Sequence, residues 1–130
     1  MARRSQGYPF TPRSTARLLP GQLFSFPLSD GGYGCCQVVP GMWPYQPPTR
    51  TRFRAGLLGW RGAALAVPTE VTGCRIIAYG WAHVGLFAAF GTEVIGKAPL
   101  AEERPGGVVD DRMWGIDGLY LLAPNLLAGA

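Results

Sequence analysis

Residues 20–39 read PGQLFSFPLSDGGYGCCQVV, in which two runs rich in aromatic and branched side chains flank Ser29-Asp30-Gly31-Gly32. Aromatic and branched residues favour strands, and an Asp-Gly pair between two such runs is typical of a hairpin turn. The stretch therefore predicts a β-hairpin. Its strands cover residues 22–28 and 33–39, and Asp30 and Gly31 supply the turn.

Outside this hairpin, turn residues divide the chain into further short segments. Residues 40–48 contain four prolines, which remove backbone donors and favour a loop. Residues 82–90 fit either a short helix ending at Gly91 or more strand. The remaining segments predict strands at 49–60, 74–81, 92–96 and 114–122, a loop or helical turn at 68–70, and a solvated loop at 102–107.

Length and composition narrow the fold class. The chain has 130 residues, which is the size of one domain, and its 19 glycines and 12 prolines are spaced too closely for long helices. We expect a mainly β fold, either a small curved antiparallel sheet or an SH3-like, partly open barrel. At most one or two short helices should accompany it.

The net charge of +4 comes from the N-terminus, where Arg3, Arg4, Arg13 and Arg17 have no acidic neighbours. Residues 1–17 also lack hydrophobic periodicity, so we expect a disordered tail there and a single β-rich domain over residues 18–130. That domain carries equal numbers of acidic and basic side chains. Binding to nucleic acid requires a basic face, so the net charge alone does not support it.

Cysteine and histidine content restricts the chemistry. Three cysteines without CxxC spacing and one histidine predict neither a disulfide framework nor a metal or cofactor site, and free thiols suit a reducing cytoplasm. The uncharged residues 76–92 are too few for a membrane helix. Vicinal Cys35 and Cys36 should point to opposite faces of a strand, one into the core and one outward.

A row of arginines is the most distinctive binding candidate. If residues 49–54 form a strand, Arg50, Arg52 and Arg54 lie on one face and can hold carboxylates or phosphates bidentately. The alternative is an edge strand protected by charge against self-pairing. Several aromatic residues could act as interface anchors or as a stacking platform, and in so small a domain most should belong to the core; they are Trp43, Tyr45, Trp60, Tyr79 and Trp81.

The hairpin resembles the opening motif of the immunity protein 26 family of bacterial polymorphic toxin systems. The resemblance rests on residues 20–34 with Gln37-Val38-Val39, and residues 91–100 (GTEVIGKAPL) resemble a later stretch of that family. It implies a cytoplasmic protein that binds and blocks a cognate toxin domain, and that is a monomer when free. The matching positions look like fold determinants, namely Gly21, Phe24, Pro27, Leu28, Asp30, Gly31, Tyr33 and Gly34.

Three hypotheses for function follow. The favoured one is a non-catalytic, toxin-neutralising module that contacts its partner through Arg50, Arg52 and Arg54 beside Trp43 and Tyr45. The second is a small nucleic-acid-binding barrel that uses the same arginines with aromatic stacking. An enzyme built on His83 with Cys36 or Cys74 ranks third, because no orienting acid or nucleophile spacing accompanies the histidine, and we therefore expect no catalytic residues.

Overall fold

A computed structural model describes residues 7–40, 50–114, 119–120 and 123–128, and for residues 104–113 it describes the backbone alone. The strands are β1 (Gln22–Pro27), β2 (Tyr33–Val38), β3 (Arg52–Leu58), β4 (Ile76–His83), β5 (Val94–Lys97) and β6 (Glu103–Trp114). The helices are α1 (Pro68–Val71), α2 (Leu86–Phe90) and α3 (Ala123–Ala128), and a 3-10 turn covers Thr15–Arg17. The six strands form one sheet in the order β5-β1-β2-β3-β4-β6.

The mainly β prediction is confirmed, with an open sheet rather than a barrel. Five strands are antiparallel to their neighbours, whereas β6 runs parallel to β4. Three short α-helices are present among the described residues, one more than expected, since α3 follows the predicted last strand. Its alanines and leucines favour helix, and Pro124 is tolerated in a first turn. Within the described ranges no helix is long and apolar enough to cross a bilayer.

The predicted hairpin is confirmed. Strands β1 and β2 pair from Leu23 opposite Gln37 to Pro27 opposite Tyr33. At the turn, Gly31 has a φ of +99°, a conformation that L side chains rarely adopt. The Arg61 guanidinium braces this turn by donating to the Asp30 carboxylate at 2.5 Å and to the Gly31 carbonyl at 2.8 Å.

Both faces of the sheet are buried. On the helix-covered face, the rings of Phe24 and Phe53 pack on Phe87 of α2, with centroids 5.0 and 6.0 Å apart. Helix α2 ends at Gly91, which has a φ of +68° and donates its N–H to the Ala88 carbonyl. Of the two alternatives for residues 82–90, the short helix capped by Gly91 is therefore the one adopted over Leu86–Phe90.

The opposite face, here called the crossed face, lies beneath residues 98–102, which lead from β5 to β6. Buried Gln37 of β2 holds this crossing segment through its side chain. The amide nitrogen donates to the carbonyls of Ala98 and Pro99, at 3.3 and 3.1 Å, and the amide oxygen accepts from the Ala101 N–H at 2.9 Å. These hydrogen bonds hold the crossing segment against an otherwise apolar face as the chain passes from one edge of the sheet to the other.

The structure corrects the prediction for the C-terminal third. Residues 102–107 were expected to form a solvated loop, but they contain the start of β6. A strand was expected to begin at Trp114, but β6 ends there. Pro105 lacks an N–H donor and Gly106 and Gly107 disfavour strands, which is why a loop was predicted. At the edge of a sheet one side of a strand need not pair, so a proline is tolerated there.

The expectation of a disordered tail is corrected for residues 7–17. Phe10 is buried, and its backbone exchanges two hydrogen bonds with Val94 of β5, at 3.2 and 2.8 Å. The Gln22 amide donates to the Tyr8 hydroxyl at 3.1 Å, and the Thr15 N–H donates to the Arg50 carbonyl at 2.9 Å. This segment therefore packs along the sheet from β5 to the approach of β3.

Replacing Gly31 with valine should destabilise the protein by about 1 kcal/mol or more, because a branched side chain disfavours positive φ. No atom lies within 4 Å of a Cβ built at Gly31, so backbone strain alone is tested. Urea denaturation measures the loss. Gly31→Asn should lose less, since asparagine tolerates positive φ better, and equal stability of the valine variant and the natural chain would contradict the turn assignment.

The crossing segment yields a second prediction. Gln37→Leu leaves the carbonyls of Ala98 and Pro99 and the Ala101 N–H without their side-chain partner. These three hydrogen bonds are part-buried, and each contributes about 0.5–1.5 kcal/mol. We expect the free energy of unfolding in urea to fall by about 3 kcal/mol. Lys97→Leu, at an exposed position next to the same segment, serves as the control and should change stability by less than about 0.5 kcal/mol.

The N-terminal segment yields a third. Phe10→Ala should lower the free energy of unfolding by about 2 kcal/mol or more, because it removes a buried ring from the core. Leu19→Ala is the matched control, as that side chain is 52% exposed. If the two variants unfold at the same urea concentration, the contact between this segment and the sheet does not contribute to stability.

Candidate arginine and tryptophan site

Two arginines of β3 lie against two aromatic rings of β4 on the crossed face. Cross-strand register places Arg54 opposite Trp81 and Arg52 opposite His83. The Arg52 guanidinium carbon lies 4.7 Å from the Trp81 ring centroid, and that of Arg54 lies 5.2 Å from it and 6.0 Å from the Tyr79 centroid. We call Arg52, Arg54, Tyr79 and Trp81 the arginine–tryptophan cluster.

Burial differs sharply along the predicted arginine row. Arg50 is exposed and precedes β3, Arg52 is partly exposed, and Arg54 is only 5% exposed. The arginine row predicted on one face therefore does not present Arg54 to solvent, because the Trp81 and Tyr79 rings lie against it there. Strand β3 is also an inner strand, between β2 and β4. For the same reason the edge-strand alternative does not apply. Arg50 and Arg52 remain accessible to a partner.

The aromatic rings provide the environment for the buried cation. The face of an aromatic ring attracts a guanidinium, and the attraction strengthens when water is excluded. Burial, and after it the nearby Glu103 carboxylate, raise the pKa of Tyr79, while the Arg54 charge opposes that rise. Tyr79 is therefore a neutral hydroxyl at physiological pH, and the cluster carries the positive charge of its two arginines.

A small pocket opens beside this cluster. Its volume is about 160 Å³, and Arg54, Trp81 and Phe53 of the sheet line it. Val39, which follows β2, and Leu18 and Pro20, from the N-terminal segment, line it as well. We call it the arginine pocket. Sequence reasoning missed its N-terminal wall, because no local pattern in residues 14–20 indicates contact with β3.

Of the remaining reactive side chains, His83 adjoins this cluster, because it lies opposite Arg52. Cys35 and Cys36 are both fully buried, which corrects the expectation that one would be exposed. Burial raises the pKa of both thiols and of Cys74, which disfavours the nucleophilic thiolate. His83 is exposed, and its Nδ1 accepts a hydrogen bond from the Gly85 N–H at 2.9 Å.

The other predicted site residues divide into two groups. Trp43 and Tyr45, expected beside the arginine row, lie outside the described residues. The positions matched by the family resemblance lie in or next to the hairpin and have structural roles. Gly21 has a φ of +100°, and a Cβ at Gly34 would lie 3.0 Å from the Phe26 ring. The side chain of Phe24 is fully buried.

No group of three or more histidine, cysteine, aspartate or glutamate residues that could hold a metal ion occurs in the part of the chain the structure describes. The arginine–tryptophan cluster with its pocket is the candidate site that includes residues predicted from the sequence. Comparisons of the chain with protein-family models, with curated proteins and with solved structures found no match.

Proposed function

We propose that this chain is an immunity protein, which binds a cognate bacterial toxin domain in the cytoplasm and neutralises it without catalysis. The single observation that carries the proposal is the placement of Arg52 over Trp81 at a partly exposed site beside a preformed pocket. Arginine and tryptophan are the residues most often found as energetic anchors of protein interfaces, where they sit beside pockets. The resemblance of the hairpin to the immunity protein 26 family is the reason for proposing a toxin domain as the partner.

Electrostatics support an acidic partner surface. Arg50 and Arg52 present positive charge at the entry to β3, and the contacts of Arg52 include the Trp81 ring and the end of β4. An accessible cation row of this kind speeds encounter with a negatively charged surface. Trp43 and Tyr45 would add aromatic anchors beside it, as the sequence predicts.

The direct test is to look for a toxin gene beside this one and to measure binding to the toxin domain that it encodes. Arg52→Ala should weaken the complex by about tenfold or more, mainly through slower association, because a partly exposed interfacial charge acts on encounter. Arg75→Ala is the matched control. That arginine is also exposed but lies at the start of β4, away from Trp81, and should leave affinity within about twofold.

Two results would contradict the proposal. One is the absence of a toxin gene in the neighbourhood together with no protection of cells against such a toxin. The other is binding of generic DNA or RNA, with a Kd in the micromolar range or lower at physiological salt, by the full chain carrying Arg3→Ala and Arg4→Ala. If that binding also weakens steeply with added salt, the result supports the nucleic-acid hypothesis.

A further inference from the structure

We propose that the arginine pocket receives one glutamate side chain of the partner, with its carboxylate against Arg54. This deepens the proposed function, on which the identity of the occupant as part of a protein partner rests. The pocket combines three features: a size that suits one side chain, apolar walls, and a buried cation at one side. Each restricts the occupant further.

Size comes first. A cavity of about 150 Å³ accommodates benzene, an occupant of about six heavy atoms, and the arginine pocket measures about 160 Å³. A glutamate side chain counted from its Cα also has about six heavy atoms. Tryptophan and arginine side chains of a partner are larger than this, and an alanine would leave most of the volume empty.

The walls and the charge select among residues of that size. Leu18, Val39 and Phe53 present apolar surface, which suits the methylene groups of an occupant. Arg54 supplies a positive charge that is 5% exposed, so its attraction for an anion is weakly screened by solvent. A neutral apolar side chain would gain nothing from this charge, and a lysine would be repelled by it.

The guanidinium of Arg54 combines ring contacts with several donors. Its carbon lies 5.2 Å from the Trp81 ring centroid and 6.0 Å from the Tyr79 centroid, and an arginine carries five N–H donors. A guanidinium can contact an aromatic ring and donate to a carboxylate at the same time, so a glutamate can bind here alongside the other contacts of Arg54.

The N-terminal segment contributes part of the pocket wall. The Thr15 N–H donates to the Arg50 carbonyl at 2.9 Å, and Leu18 and Pro20 line the pocket together with Arg54. The occupant would therefore contact both this segment and β3.

The test uses butyrate, which reproduces the glutamate side chain from Cα onward, and butyramide, its neutral counterpart of equal size. We expect butyrate to shift the Trp81 indole resonance in the NMR spectrum of the full chain, with a Kd on the order of 1–10 mM for so small a ligand. Butyramide should bind about tenfold more weakly or worse. Arg54→Met should weaken butyrate binding by a similar factor, whereas Arg75→Met should not change it.

Equal binding of butyrate and butyramide, or unchanged butyrate binding by a folded Arg54→Met variant, would overturn the inference. Should Arg54→Met fail to fold, Leu18→Trp provides the second variant, because it fills the pocket and leaves the arginine in place. Loss of butyrate binding in that variant supports the pocket, and retention overturns it. If the chain binds the toxin but does not bind butyrate, this inference is wrong and the proposed function stands. If the chain binds butyrate but has no toxin partner, the proposed function alone is wrong.

Discussion

The side chain of Gln37 is the point on which the topology depends. It sits on an inner strand, fully surrounded, and bonds three residues of a segment that has left the sheet at one edge and rejoins it at the other. A segment crossing an apolar face exposes backbone groups that need partners, and a glutamine amide offers both donors and an acceptor. The connection from β4 to β6 runs through α2 and β5, and this anchor holds its last part, residues 98–102, in place where β6 joins β4 in a parallel direction.

The same crossing gives the sheet two cores of different character. Phenylalanines on the helix-covered face pack with α2 in an almost purely apolar cluster. The crossed face is mixed, with apolar residues around Leu23 and Leu58 and polar anchors such as Ser25, whose hydroxyl donates to the Gly34 carbonyl and accepts from the Ala66 N–H. Arg54 and Trp81 lie at one end of this mixed face. The rings of Tyr79 and Trp81 lie against the Arg54 cation and help to accommodate it in the core.

The proposed function assigns binding and folding to different parts of the molecule. The hairpin positions that resemble the immunity family serve the turn and the core, as Gly31 does by its positive φ and Phe24 by its burial. Contacts with a partner are proposed instead for β3, β4 and the N-terminal segment, which lie at the end of the sheet that holds the arginine pocket.

Local sequence determined the elements whose information is local. The Asp30-Gly31 turn, the strands around it, the helical turn at Pro68–Val71 and the end of α2 at Gly91 follow from residue preferences over a few positions. The alternation of Arg52 and Arg54 likewise placed both on one face by its spacing alone. Tertiary structure decided which arginine is buried, because that depends on which distant residues pack against it on that face, here Tyr79 and Trp81 for Arg54. It also decided that β6 is a strand despite Pro105 and its glycines, since they lie at the sheet edge and at an irregularity in the β4–β6 register. It further decided that Phe10 completes the core and Leu18 the pocket. Those outcomes depend on contacts between residues far apart in the chain, and short-range patterns carry no information about such contacts.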